Sequence, residues 1–229
     1  MPQENLWSQI EYTHDNTVRS KKMALFNTSS TELKHLFLSW LAISYAFAIM
    51  LAWMELDRKP TGAEIAGPFI TELFMISLFT VGISFIIHEM GHKFIAQQYG
   101  AWAEFRMSTG MLMLAIYMAW QIGILFAAPG AVQIFGPHIS KSQYGKIAAS
   151  GPVMNLFLAV VFMPLVGDPG FLGEVGRLGV MINLLLAGFN MLPVSVLDGR
   201  KVLAWSPVAY IALFLLIIMV GLFSAAMFV

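Results

Sequence analysis

Fifteen consecutive residues without an ionisable side chain, Leu73 to Ile87, run directly into His88-Glu89-Met90-Gly91-His92. In lipid every backbone polar group must find its partner within the segment, so a run this apolar reads as a helix. Residues four apart share a helix face, which sets His88 and His92 to present two imidazoles to one metal ion and leaves Glu89 free as a general base. At about 1.5 Å per residue the run covers roughly 22 Å of a hydrocarbon core roughly 30 Å thick, which puts the pentad near its exit side. Chance is a poor explanation, because a shuffled chain of this composition would hold roughly 0.004 such matches. A structural explanation, histidines bonded to neighbouring helices and the acid paired with Lys93, must meet about 2.5 to 3.5 kcal/mol for each charge at mid-helix.

Composition agrees with a membrane setting: 58% of residues are hydrophobic and only 11% charged. A formal net charge of zero offers no field for nucleic acid. Cysteine is absent, so disulfides, thiol catalysis and thiolate ligands are excluded, and His, Asp and Glu remain as strong ligands. Two histidines and a carboxylate leave the fourth zinc position for water, the open coordination of a catalytic site, and one zinc per chain is expected.

Residues 1–34 read as a polar cytoplasmic tail without a cleavable signal pattern, ahead of a single domain at 35–229. Ser29 and Glu32 offer a capping box before a first helix from about Leu33 to Trp53. A long helix from about Pro68 to Tyr99 follows, and Trp102 to Met107 alternates as a short strand would. Further apolar stretches run from Met111 to Ala128, Ile147 to Val166, Leu178 to Leu192 and Val208 to Val229, with Gly151-Pro152 reading as a helix opening. His14, His35 and His138 read as solvent-facing or interfacial.

The expected architecture is an all-α polytopic membrane protein with about five or six transmembrane helices, a re-entrant element and a short β-strand region. If Met111 to Ala128 crosses the bilayer, Asp198, the best third ligand, emerges opposite the pentad. If that stretch dips and returns near Pro129-Gly130, the two meet. Lysine and arginine placement favours the dip with a cytoplasmic amino terminus: ten cytoplasmic against three outside, compared with seven against six for six crossings.

Near its end the chain carries Asn190-Met191-Leu192-Pro193-Val194-Ser195-Val196-Leu197-Asp198-Gly199, with Gly151-Pro152-Val153-Met154-Asn155 between it and the pentad. With the HExxH helix, these segments resemble the site-2 protease family of intramembrane zinc metalloproteases, over a core from about Pro68 to Gly199. The resemblance implies His88, His92 and Asp198 as zinc ligands, Glu89 as general base and acid, and Asn190 as an oxyanion stabiliser. It also implies hydrolysis in or beside transmembrane helices of substrate proteins, at the cytoplasmic side of a prokaryotic cell membrane; a helical substrate must locally unwind, and the Trp102 to Met107 strand is expected to bind the extended segment by edge addition.

Residue chemistry agrees with most of this. Pro193 removes a backbone donor and can unwind the helix, freeing Asp198, with Gly199 easing the bend. Alternatives remain: Asp198 beside Arg200 and Lys201 could be a solvated helix end, and Asn190 and Asn155 could serve helix packing. A metzincin extension is absent, since Ile95 and Gln98 stand where glycine and histidine are needed. A prenyl-protein type of zinc protease, a catalytically silent binder of membrane helices and a transporter are rival readings.

Overall fold

A computed structural model describes residues 27–125, 129–135, 139–194 and 196–227. Helix α1, Ser30–Leu56, starts three residues earlier than expected because the Ser29 hydroxyl accepts the Glu32 N–H at 3.0 Å. Only half of the expected capping box forms. The Glu32 carboxylate turns inward instead, to Lys93 Nζ and to the Phe105 N–H. A short α2, Gly62–Ala66, follows, opened by a complete capping box between Thr61 and Glu64.

Helix α3 runs from Pro68 to Gln98, with proline in its first turn where the missing N–H costs nothing. A π turn at Leu78–Gly82 interrupts its regular bonding, and the Trp40 indole of α1 donates to the Leu78 carbonyl at 3.1 Å. The expected strand, Trp102–Met107, is β1; Gly130–Phe135 is β2, its antiparallel partner, with Phe105 facing Val132. Between them lies α4, Thr109–Ile122. Its 14 residues extend about 21 Å, short of a core about 30 Å thick.

Helix α5, Lys141–Phe162, begins at a capping box between Ser140 and Gln143. Pro152 therefore does not open a helix; it lies deep inside one. Helices α6, Phe171–Asn190, α7, Asp198–Trp205, and α8, Pro207–Met227, complete the described chain. Five helices among the described residues are long and apolar enough to cross a membrane. The chain is thus an all-α polytopic membrane protein with, among the described residues, one two-stranded sheet, and the end of α3 and the start of α7 meet.

The main core joins α1, α3, α4 and β1 through Ile43, Phe47, Leu51, Leu73, Phe85, Phe105 and Ala115. Helix α5 packs between α3, α6 and α7. Close approach of α5 to α3 depends on glycine: a Cβ on Gly91 would stand 2.8 Å from Met154 Cγ and 3.1 Å from the Ser150 carbonyl. Small residues let membrane helices approach in this way. His14 and His138 lie outside the described residues, as do residues 1–26 of the expected tail, and His35 is half-buried.

Candidate metal centre

Helical spacing brings His88 and His92 together as expected, with ring centroids 4.7 Å apart. Asp198 reaches them from the first turn of α7: its Oδ2 lies 3.3 Å from His88 Nε2 and 3.0 Å from His92 Nε2. All three side chains are buried. Lys201, one turn further, donates to the other carboxylate oxygen at 3.1 Å, and its ammonium lies over the Tyr144 ring. Asp198 is therefore not a solvated helix end.

Chain breakage after α6 allows this. Helix α6 ends at Asn190, and α7 begins only at Asp198 with Leu197 extended at its cap. Gly199 is needed for proximity, since a Cβ there would stand 2.1 Å from the Met191 carbonyl oxygen.

Hydrogen bonds behind the imidazoles decide which nitrogen is available. His92 Nδ1 faces the Ile147 carbonyl at 2.7 Å. A carbonyl can only accept, so Nδ1 carries the proton and Nε2 keeps its lone pair. His88 Nδ1 meets Asn155 Oδ1 at 2.5 Å. Asn155 in turn donates to Asn183 Oδ1 at 2.8 Å, and Asn183 donates to the Gly179 carbonyl at 2.8 Å. That last carbonyl fixes the polarity of the whole relay, which ends with a proton on His88 Nδ1. Asn155 thus orients a metal-site histidine rather than serving helix packing alone.

Two imidazole lone pairs and one carboxylate oxygen then converge with no proton to share, an arrangement that calls for a cation. Zinc bonds of about 2.0 to 2.2 Å in a tetrahedron place ligand atoms about 3.3 to 3.6 Å apart, within a few tenths of an ångström of the 3.3 and 3.0 Å seen from Asp198. The residues fit a zinc ion, and the space for it depends on Gly151. A Cβ there would stand 2.5 Å from both Nε2 atoms.

Glu89 is not one of this trio; its Oε2 accepts the Val132 N–H of β2 at 3.0 Å. Asn190 donates from its amide to the Leu186 carbonyl of its own helix at 3.0 Å and is half-buried. The sheet also departs from expectation. On β1, the side expected to receive another strand is closed: Phe105 N–H donates to Glu32 Oε1 at 3.0 Å and the Ala103 carbonyl accepts from Gln97 at 3.4 Å. The other edge belongs to β2, a strand that the Ala131-to-Phe135 alternation could have revealed. Gly151 and Asn183 carried no local signal of their roles, which arise only from helix contacts.

Fold and site together define a polytopic membrane protein in which two histidines and a carboxylate form a group that could hold a metal ion. No family model and no solved structure matches the chain. It is 40% identical over 188 residues, 81% of this chain and 90% of the relative, to a Methanocaldococcus jannaschii protein named putative zinc metalloprotease. A second protein of that organism, named zinc metalloprotease, is 25% identical over 126 residues, 53% of this chain and 31% of its own length. The chain belongs to the zinc metalloprotease family of the first of these relatives.

Proposed function

We propose that the chain is an intramembrane zinc endopeptidase of the site-2 type, which hydrolyses peptide bonds in or beside transmembrane helices of substrate proteins. The observation that carries this reading is the convergence of His88 Nε2, His92 Nε2 and Asp198 Oδ2 within a bundle of membrane-length helices. Those three residues would hold one zinc ion, whose Lewis acidity polarises the scissile carbonyl and acidifies water. Glu89, the neighbour of His88, takes a proton from the attacking water and returns it to the leaving amine. Asn155, Asn183 and the Ile147 carbonyl hold the two imidazoles in the tautomer that keeps Nε2 unprotonated.

Asn190 serves as an oxyanion donor in this reading. Its place at the end of α6, immediately before the loop that delivers Asp198, supports that role. A substrate helix must unwind locally before its scissile bond is exposed, and the edge of β2 beside Glu89 offers main-chain partners for the unwound segment. With the amino terminus cytoplasmic, the centre opens toward the cytoplasmic face, and a cysteine at Lys141 should resist labelling from outside intact cells.

The test compares purified wild type with Glu89→Gln for zinc content and for cleavage of a membrane-helix substrate in detergent. Both should bind one zinc and only wild type should cleave. Cleavage by both would remove Glu89 from the mechanism, and absence of metal from both would overturn the reading.

A further inference from the structure

In an antiparallel ladder, residues of a non-hydrogen-bonded pair direct their N–H groups away from the partner strand. Phe105 and Val132 form such a pair, and both outward N–H groups are occupied by carboxylates. On the β1 side the acceptor is Glu32, fully buried and ion-paired to Lys93, so that edge is permanently closed. On the β2 side the acceptor is Glu89, and Val132 itself is half-exposed.

A strand added along β2 needs the same Val132 N–H for one of its own carbonyls. One N–H serves one well-aligned acceptor, so Glu89 and an added strand exclude each other there. We propose that the Val132 N–H is a shared donor: it holds Glu89 in the empty chain, and an extended peptide seated on β2 takes it over and releases Glu89 toward the reacting water. The inference rests on the protease reading above and adds a substrate requirement to it. A helical segment cannot make the exchange, because its carbonyls are already bonded four residues along the helix. Only an unwound segment displaces the carboxylate, so the base is freed when a cleavable backbone is in place.

The exchange is read by binding rather than turnover. The probe is a fluorescein-labelled synthetic peptide of alternating valine and threonine with lysine ends, titrated by anisotropy against the full-length, zinc-loaded protein in detergent. In Glu89→Gln the side-chain carbonyl still accepts from Val132, whereas in Glu89→Ala that donor is vacant. Glu89→Ala should therefore bind the peptide about 2- to 12-fold more tightly than Glu89→Gln, the weight of one hydrogen bond. Adding Val132→Pro to both should erase the difference. Proline at this position removes only the outward N–H and leaves the β1–β2 ladder bonds in place.

Amide hydrogen exchange at Val132 supplies a measurement that needs no proline variant. Without peptide, exchange should be slow in wild type and Glu89→Gln, fast in Glu89→Ala, and slow again in Glu89→Ala once peptide is added. Equal peptide affinities for Glu89→Ala and Glu89→Gln, a difference that survives Val132→Pro, or exchange at Val132 indifferent to Glu89 would each overturn the proposal. Failure of the peptide to bind any variant would refute strand addition on β2 and the exchange with it, while helix cleavage by wild type alone would still support the protease reading.

Discussion

Gly151→Ala should empty the metal site while leaving the fold intact. The added Cβ would stand 2.5 Å from His88 Nε2 and His92 Nε2, about 0.9 Å inside the 3.4 Å at which ordinary contact begins. Metal–ligand bonds tolerate about 0.2 Å of misplacement, so moving either ring by that distance removes a ligand. Zinc affinity should fall at least about 100-fold, which corresponds to about 2.7 kcal/mol. Stability should change less. Overpacking a core costs about 1 to 3 kcal/mol, and replacing a mid-helix glycine by alanine returns about 0.8 to 1 kcal/mol. The assay is competition with a chromophoric chelator in detergent, alongside a thermal melt of the metal-free proteins. Gly188→Ala is the control, since nothing lies within 4 Å of a Cβ there. A Gly151→Ala protein that binds one zinc at wild-type affinity would refute the argument, because α3 and α5 would then have separated without disturbing the centre.

Three further outcomes follow from named contacts. Asn155→Ala should weaken zinc binding about 10- to 100-fold, as loss of a histidine's hydrogen-bond partner typically does, and Asn183→Ala should weaken it less, because Asn155 keeps its place but loses its enforced orientation; equal zinc affinity in all three proteins would break the relay. Lys93→Met alone should cost about 3 to 5 kcal/mol by leaving Glu32 buried without its cation, whereas Lys93→Met with Glu32→Leu should recover much of that in denaturant or thermal unfolding; additive losses would deny the pairing its role. The Glu64 carboxyl should titrate near about 2, held down by Arg58 and by the Thr61 N–H and hydroxyl. With its folded value below the unfolded one, the stabilisation is present above the usual carboxylate range and is lost as pH falls through about 2. An NMR titration in which Arg58→Ala leaves that midpoint unmoved would contradict the assignment.

Much of the site was legible in the chain because its chemistry is local or motif-borne. The pentad places His88 and His92 on one face through helical periodicity alone, and the alternation from Trp102 to Met107 marks β1 to the residue. Charge placement favoured five spans over six, and five helices among the described residues are long and apolar enough to cross a membrane. The break after Asn190 was legible too, because proline cannot continue the bonding pattern.

What periodicity could not supply was decided by contacts between elements distant in sequence. Gly151 looked like a helix start beside a proline, yet its value is the volume it leaves empty against two imidazoles on another helix. Glu32 had the spacing of a cap, but a buried lysine 61 residues away and an outward N–H on β1 offered it stronger partners. Asn183 became part of the centre only through Asn155, and Val132 only because β2 folds back beside Glu89. The sequence by itself determined which helices form and which residue types could bind metal, because periodicity and side-chain chemistry are properties of single segments. Tertiary structure alone decided which proton sits on which imidazole, where the metal has room and which sheet edge is closed, because each depends on atoms brought together by packing.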